Sequence, residues 1–490
     1  MSASAPLYRD SALGWTFSPT VSGISDDSRQ VRSGDIFVAI PGTHDDGRHY
    51  VSEAVERGAV AIVAERPLGA EVPVFVVPHA RRALAELASA FFGDPWRGLD
   101  MIAVTGTAGK STTVEWLLHI LRWGGRQVQA VGSLHRPGVP EGVPGLTTPG
   151  PIALHRLIRT FRDQGATSVI LEVTSHAIDQ ERVHGIRFRA AILTSLGRDH
   201  LDYHRDLGHY WDTKRRLFQD LGPDEAAFLP AEPLVAKNFD HGIRARVTRF
   251  GEDGEVTIVP SGSSFAGRYP ARLVTPAGSA PFRMALPGPG MARSAAGAAA
   301  CALYLGMDVA SVAQALGELR KIPGRLERLV WRGITILIDY GHNPPGIETA
   351  LQAAREVAGP GRVTVVLGAP GRRDTGKFPD MGRVVARAHR VILTSESPEG
   401  DSPEEIARLL AEGVVEAGGR PEILLDRQAA VLEALSGARA GDVVLLLGRG
   451  RERFQDFGNV VLLGSDLDLV ERAKAMLVRG SEADHEPDEP

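Results

Sequence analysis

Residues 101–125 read MIAVTGTAGKSTTVEWLLHILRWGG. An apolar strand-like run leads straight into a glycine-bearing turn and then into an amphipathic helical pattern. That order is the context of a phosphate-binding loop. It carries more weight than the motif G-x-x-x-x-G-K-[ST], whose first glycine would stand where the chain has Val104. Gly106 and Gly109, with Thr107 and Ala108 between them, let the backbone turn N–H groups inward, and the helix start adds partial positive charge. Lys110 is placed to reach outer phosphates, and the Ser111 hydroxyl, followed by Thr112, to ligate Mg²⁺. The plain alternative is a capped helix start with a surface lysine.

The chain has 490 residues, enough for about three domains. Its 43% hydrophobic and 23% charged residues are ordinary for a globular protein. A net charge of −5 argues against nucleic acid as a partner but leaves room for a phosphorylated small molecule. The single cysteine, Cys301, excludes an intrachain disulfide and a multi-thiolate zinc site, and within AAGAAACALYLGM it reads as a small packed helical residue. The N-terminal MSASAPLYRDSALGW lacks the features of a signal peptide, and no apolar run approaches the ~20 residues that span a bilayer. A cytoplasmic protein without a membrane partner is expected.

Residues 1–96 alternate short strand-like runs (DIFVAI, AVAIVAE, VPVFVV) with helical patterns such as YVSEAVERG, predicting an α/β domain. In 97–324 the apolar runs MIAVTG, SVILEV and AAILTSL alternate with helices, which predicts a parallel sheet. After about residue 222, RVTRFGED and ARLVTPAGSAPFRMAL read as antiparallel strands, followed by Ala-rich helices over 291–321. In 325–478 the runs TILIDY, VTVVLG, RVILTS and VVLLLG predict another α/β unit. Residues 479–490 are expected to form a disordered acidic tail.

Three further stretches offer chemistry. Glu172 ends the strand-like SVILEV, where sheets of this kind place ligands. GRDHLDYH offers Asp199, His200 and Asp202, and HYWDTKRRLF sets Lys214 on a helix. Singly these are a strand-end acid, a turn histidine and a solvated lysine. Together they set an acid, a histidine and a lysine beside a candidate ATP–Mg²⁺ site.

The loop T-G-T-x-G-K-[ST] resembles that of the Mur ligases, ATP-dependent amide-forming enzymes of bacterial cell-wall synthesis, which dispense with the first glycine. DSRQVRSGDIFVAIPGTHDDGRHY, TTP, EVTSHAIDQERVHGIRF, RDHLDYH, YWDTKRRLF, IPGRLERL, DYGHNP and GRGRERFQ extend the resemblance in family order over nearly the whole chain. It is strongest toward ligases that add the third amino acid to UDP-N-acetylmuramoyl-dipeptide. The resemblance implies an N-terminal α/β UDP-binding domain, a central P-loop-type parallel-sheet ATPase domain and a C-terminal Rossmann-like domain binding nucleotide and amino acid. A monomer is expected.

The resemblance implies residue roles as well. Ser28 matches the uridine diphosphate contact; Thr147, Thr148, Thr174, Gln180 and Arg182 match positions that grip the muramoyl-peptide. Lys214 matches a lysine carbamylated by CO₂, which with Glu172 and His200 holds a second Mg²⁺, while Ser111 serves the first. Arg325, Asp339 and His342 match nucleotide contacts. Lys110, Lys214 and His200 are then the catalytic candidates. ATP would phosphorylate the γ-carboxylate of D-glutamate, and the incoming amine would displace phosphate from the acyl phosphate.

Three departures stand out. Ala108 replaces a family asparagine, and GMARSAAGA stands where an F-N-x-x-N-like segment is usual. Where diaminopimelate enzymes carry D-N-P-R, this chain has Glu396, Ser397, Pro398 and Glu399, and Phe378 replaces an upstream arginine. Lost cations and a gained acid favour a distal ammonium, predicting lysine or ornithine over diaminopimelate. Glu452 and Gly448 match the contacts to the amino acid's α-amino end. Alternatives are the same reaction with diaminopimelate, a folylpolyglutamate synthetase-like ligase, a P-loop switch, and a ligase-like binder without catalysis. The N-terminal DSRQVRSGDIFVAIPG opposes the folyl ligase, and no N-K-x-D motif supports a guanine-reading switch.

Overall fold

The computed structural model describes residues 7–483 apart from 11–13, 19, 43–44, 140–144, 262–267 and 373. The chain divides into two compact units. The first is Met1–Ala103 with Arg126–Ser133 and Leu146–Arg189; the second is Val104–Gly125, Leu134–Gly145 and Ala190–Pro490.

The first unit holds a four-stranded parallel sheet, Gly23–Ser25, Asp35–Val38, Ala61–Ala64 and Val74–Val76 in that order. Its two middle strands are buried at every residue, which is why they read as continuous apolar runs. The helix Ala80–Phe91 supplies Ala83, Leu84 and Leu87 to one face, and Val51 and Ala54 close the other. The same unit contains the parallel pair Val128–Val131 and Ser168–Glu172, with Ala130 opposite Ile170. Glu172 therefore stands at the C-terminal end of a buried strand, as expected.

In the second unit, Ala190–Leu193, Ala226–Pro230 and Arg246–Phe250 pair in parallel. This corrects the antiparallel reading of RVTRFGED: the helix Pro233–Phe239 makes the crossover that a parallel strand requires. ARLVTPAGSAPFRMAL does form an antiparallel hairpin, turning through Pro276 and Ala277, in a three-stranded sheet. The Ala-rich helix Pro289–Tyr304 buries Cys301 completely.

The C-terminal sheet runs in the order Glu327–Trp331, Ile334–Ile338, Val443–Leu447, Val363–Leu367, Arg390–Leu393, Pro421–Ile423. Only the first strand is antiparallel. Because the last strand in sequence inserts between Ile334–Ile338 and Val363–Leu367, the C-terminal strand ends bring Asp339, Gly448, Gly368 and Glu396 to one edge. Ligands bind at such an edge in open α/β sheets. The helix Asp466–Ala483 continues past residue 479, so the expected tail does not begin there; 484–490 lie outside the described residues.

Candidate active site

The strand Asp100–Thr105 delivers the chain into the loop, and the helix Lys110–Trp123 leaves it. Gly106 (φ +149°) and Gly109 (φ +84°) occupy backbone conformations that disfavour side chains. The segment after Ala190–Leu193 clamps the loop from beside it. Thr107 N–H donates to the Ser195 carbonyl at 3.1 Å, and Ala108 N–H to Ser195 Oγ at 2.9 Å. The Ala108 carbonyl accepts from Thr194 Oγ1 at 2.5 Å and Ser195 Oγ at 3.0 Å. Two N–H groups expected to face phosphate are thus engaged in shaping the loop, so the anion-attracting end is the helix start itself. Lys110 Nζ donates to the carbonyls of Gly106 (3.0 Å) and Thr107 (3.3 Å). Ser111 and Thr112 are buried.

Arg325 joins this group: its Nη2 donates to Ser111 Oγ at 3.0 Å, and its guanidinium lies 4.4 Å over the Tyr340 ring. Asp339 accepts Leu326 N–H and Gly341 N–H, each at 2.8 Å, and burial raises its carboxyl against the pull of Arg325. His342 donates through Nδ1–H to the Tyr340 carbonyl, 2.8 Å away. Burial, then the charge of Lys377, pushes its imidazole down to about 4, so it is neutral at pH 7.

The helix Leu207–Gln219 places Tyr210 and Lys214 one turn apart. Lys214 Nζ lies 3.1 Å from the Tyr210 ring centroid, and the Tyr210 hydroxyl donates to Thr107 Oγ1 at 3.3 Å. The His200 ring centroid is 6.3 Å from that of Tyr210. Lys214 is fully buried; burial and the charge of Lys110 hold its ammonium well below the usual lysine range. Asp199 is buried too, but His200 and Lys377 overcome that penalty and keep its carboxyl below the usual carboxylate range.

Within the first unit, Thr147, Thr148, Glu172, Thr174, Gln180 and Arg182 converge. Ser133 N–H donates to Glu172 Oε2 at 3.0 Å, and Ser133 Oγ meets Thr147 Oγ1 at 3.2 Å. Thr148 Oγ1 donates to the Glu172 carbonyl at 2.8 Å and accepts Thr174 N–H at 3.2 Å. Arg182 donates to the Thr148 carbonyl (2.8 Å) and Gln180 Oε1 (2.7 Å). Ser28 Oγ donates to Glu53 Oε2 at 2.7 Å.

At the edge of the C-terminal sheet Glu396 is buried and accepts Ser397 N–H at 3.0 Å. A Cβ on Gly448 (φ +109°) would lie 3.3 Å from Glu396 Cγ, so only glycine leaves this approach open. Burial raises the Glu396 carboxyl; burial and the neighbouring Glu396 charge push Glu452 up to about 8. Glu399 (φ +53°) is half-buried, its N–H held by the Asp456 carbonyl at 2.9 Å, and Pro398 is buried. Phe378 is wholly enclosed with Met381 and Val385. It is a core residue and presents no surface to a ligand, contrary to its expected place beside the substrate.

Residues 20–92, 104–302 and 324–450 match the models of the Mur ligase family catalytic domain, the Mur ligase middle domain and the Mur ligase glutamate ligase domain. A Geobacillus kaustophilus protein named UDP-N-acetylmuramoyl-L-alanyl-D-glutamate–2,6-diaminopimelate ligase is 37% identical over 465 residues, 93% of this chain and 95% of its own. The chain belongs to the Mur ligase family. An Aquifex aeolicus protein of the same name is 35% identical, covering 92% of this chain and 93% of its own. A solved structure titled as that same ligase superposes with a TM-score of 0.63 at 27% identity, covering 94% of this chain and 95% of that one.

Mur ligases are ATP-dependent amide ligases of peptidoglycan synthesis, acting on a UDP-muramoyl peptide and an amino acid, and this chain is one of them. Among the described residues no three His, Cys, Asp or Glu side chains form a metal site by themselves, and no helix is long and apolar enough to cross a membrane. The available donors fit Mg²⁺, which prefers few protein oxygens and keeps phosphate oxygens in its shell. In the second unit Ser111 offers a hydroxyl, and Lys214 becomes an oxygen donor only if modified; in the first unit Glu172 offers a carboxylate.

Sequence reading missed several residues of this Mur ligase site. Tyr210 stands four positions before Lys214, a spacing that puts both on one helix face. Thr194 and Ser195 stand inside the run AAILTSL, directly after its strand. Lys377 and Asn343 bond to Asp199, 178 and 144 residues away, a pairing that nothing local shows even though Asn343 stands within DYGHNP.

Proposed function

We propose that this ligase joins an amino acid bearing a distal amine to the D-glutamate γ-carboxylate of UDP-N-acetylmuramoyl-L-alanyl-D-glutamate. The observation that carries this reading is similarity over 92–93% of the chain to ligases named for that reaction. Those names support 2,6-diaminopimelate over the dibasic amino acid expected from the substitution at 399. Lysine or ornithine is the second reading, and Glu399, in place of a family arginine, is the observation that favours it.

In this proposal the γ-carboxylate attacks the terminal phosphorus of ATP and ADP leaves. The amine then attacks the acyl carbon, phosphate departs, and the amine loses a proton. Lys110 and Arg325 stabilise charge on the transferring phosphoryl group. Mg²⁺, when bound, supplies further charge neutralisation there. Thr147, Thr148, Thr174, Gln180 and Arg182 hold the muramoyl-peptide, Ser28 the uridine diphosphate, and Asp339 and His342 the nucleotide. Lys214, a buried amine with a depressed proton affinity, is suited to react with CO₂ with loss of a proton, and the resulting carbamate, with Glu172 and His200, would hold the second metal. Glu396, Glu452 and the backbone at Gly448 receive the amino acid. The division at 96/97 and 324/325 and a monomeric state belong to the same proposal.

The test is phosphate release from ATP with the UDP-muramoyl-dipeptide and a panel of diaminopimelate, lysine and ornithine. Release dependent on both co-substrates is expected; release with none of the amino acids would sink the reading. Comparing kcat/KM in wild type and Glu399→Arg separates the two substrates. A charge at 399 that faces the distal group changes selectivity roughly ten- to a hundredfold. Preference for diaminopimelate in wild type, unaltered in the variant, removes the lysine or ornithine reading.

A further inference from the structure

We infer that Lys377 and Asn343 are positioning residues that act through Asp199 to hold His200 in the conformation from which it reaches the metal. The inference rests on the reading of His200 as a metal ligand. Asp199 is 2% exposed, and both of its oxygens are engaged. Oδ1 accepts Lys377 Nζ at 2.9 Å and the backbone N–H of His200 at 3.0 Å. Oδ2 accepts Asn343 Nδ2 at 2.9 Å. His200 sits at φ +55°, a region that residues with side chains seldom occupy, so something must over-determine it. The carboxylate bonded to its own N–H is that constraint, and the carboxylate is itself pinned from two sides.

Both pins are rigid. Asn343 caps the helix Pro344–Ala358, its Oδ1 accepting Gly346 N–H at 2.9 Å, so its amide cannot swing away without uncapping that helix. Lys377 ends a short turn whose Asp374 faces Arg198 at 3.4 Å, one residue before Asp199. The Lys377 and Asp199 side chains are 3% and 2% exposed. A buried ion pair is weak evidence for stability, since replacing both charges together is often neutral. Its direct consequence here is the orientation of the histidine turn. Both pins come from the C-terminal sheet segment, so His200 is fully oriented only when that segment is seated on the loop after Ala190–Leu193.

The experiment uses the full chain and three variants: Lys377→Met, the double variant Lys377→Met/Asp199→Asn, and Asn343→Ser, which keeps a capping hydroxyl. Mn²⁺ binding in the presence of a non-hydrolysable ATP analogue is followed by electron paramagnetic resonance, alongside Tm, kcat and the KM for ATP. Loss of a partner that orients a metal-binding histidine weakens the metal about 10- to 100-fold. That loss, with a parallel fall in kcat and a near-normal KM for ATP, is expected for Lys377→Met. Asn343→Ser should move the same way by less. The double variant should recover Tm but neither Mn²⁺ affinity nor kcat. Recovery of all three would show that only charge balance mattered and overturn the inference, as would wild-type Mn²⁺ binding in Lys377→Met. A wild type without a second Mn²⁺ also overturns it, while amino-acid-dependent phosphate release would leave the ligase reading standing.

Discussion

Arg325 donates to the hydroxyl of Ser111 across 3.0 Å, although the two residues lie 214 positions apart in sequence. One guanidinium thus meets the first turn of the phosphate-loop helix while its face stacks on Tyr340 at 4.4 Å. A planar fork stacks flat and still donates from its edge, whereas a compact ammonium has no face to stack. Arg325→Lys is therefore expected to raise the KM for ATP and lower kcat/KM by about 10- to 100-fold, since charged hydrogen bonds are worth ~1.5–3 kcal/mol. Steady-state kinetics with ATP varied checks this; a lysine variant that works like wild type removes Arg325 from the nucleotide site.

Gly106 tests the loop. A Cβ there would lie 2.1 Å from Thr194 Oγ1, at φ +149°. Gly106→Ala should abolish binding of a fluorescent ATP analogue while changing the Tm little. Adding Thr194→Ala removes the closest contact but leaves the Ser195 and Thr194 backbone nitrogens at 3.0 and 3.1 Å and the backbone strain, so recovery should be partial. Full binding by Gly106→Ala alone would mean that the loop does not hold phosphate in this shape.

Lys110 Nζ lies on the carbonyls of its own loop, within reach of anything bound at the helix start. Lys110→Ala should lose several kcal/mol of transition-state stabilisation, about 10²–10³ in kcat, with the fold intact. Near-normal turnover would count against phosphoryl transfer at this loop.

Lys214→Ala vacates a fully buried site beside Tyr210. If a carbamate stands there in the working enzyme, formate or acetate should restore part of the lost turnover. A ¹³C resonance from labelled bicarbonate should appear in wild type and be missing from the variant. Rescue by simple salts such as chloride to the same level would argue against an oxygen ligand.

His155, on the helix Pro151–Asp163, is fully buried, and among the described residues neither ring nitrogen has a hydrogen-bond partner. Burial pushes its imidazole down to about 4, outweighing the charge of Asp94. The unfolded chain therefore takes up a proton below pH ~6.5 that the folded chain refuses until about pH 4. Stability from this residue is whole above that window and falls through it, by up to about 3 kcal/mol. His155→Leu should unfold at higher urea than wild type, with a larger gap at pH 5 than at pH 7.5. An equal gap at both pH values would show that titration plays no part.

Much of this protein follows from local sequence alone. Continuous apolar runs such as DIFV and VVLLL are buried on both faces of parallel sheets, so periodicity reveals them without knowledge of their neighbours. The loop from Val104 to Thr112 is likewise legible, because strand, glycines and helix start are contiguous. Sequence could not assign the direction of Arg246–Phe250, since an edge strand with exposed residues looks alike in either orientation. Nor could it place Phe378, whose enclosure depends on how its helix packs. The grip of Lys377 and Asn343 on Asp199, the Arg325–Ser111 bond and the convergence of Glu396 with Gly448 belong to tertiary structure alone. Hydrogen bonds and charge pairs act over about 3 Å in space, whatever the separation along the chain. Only folding brings together side chains that stand more than a hundred residues apart.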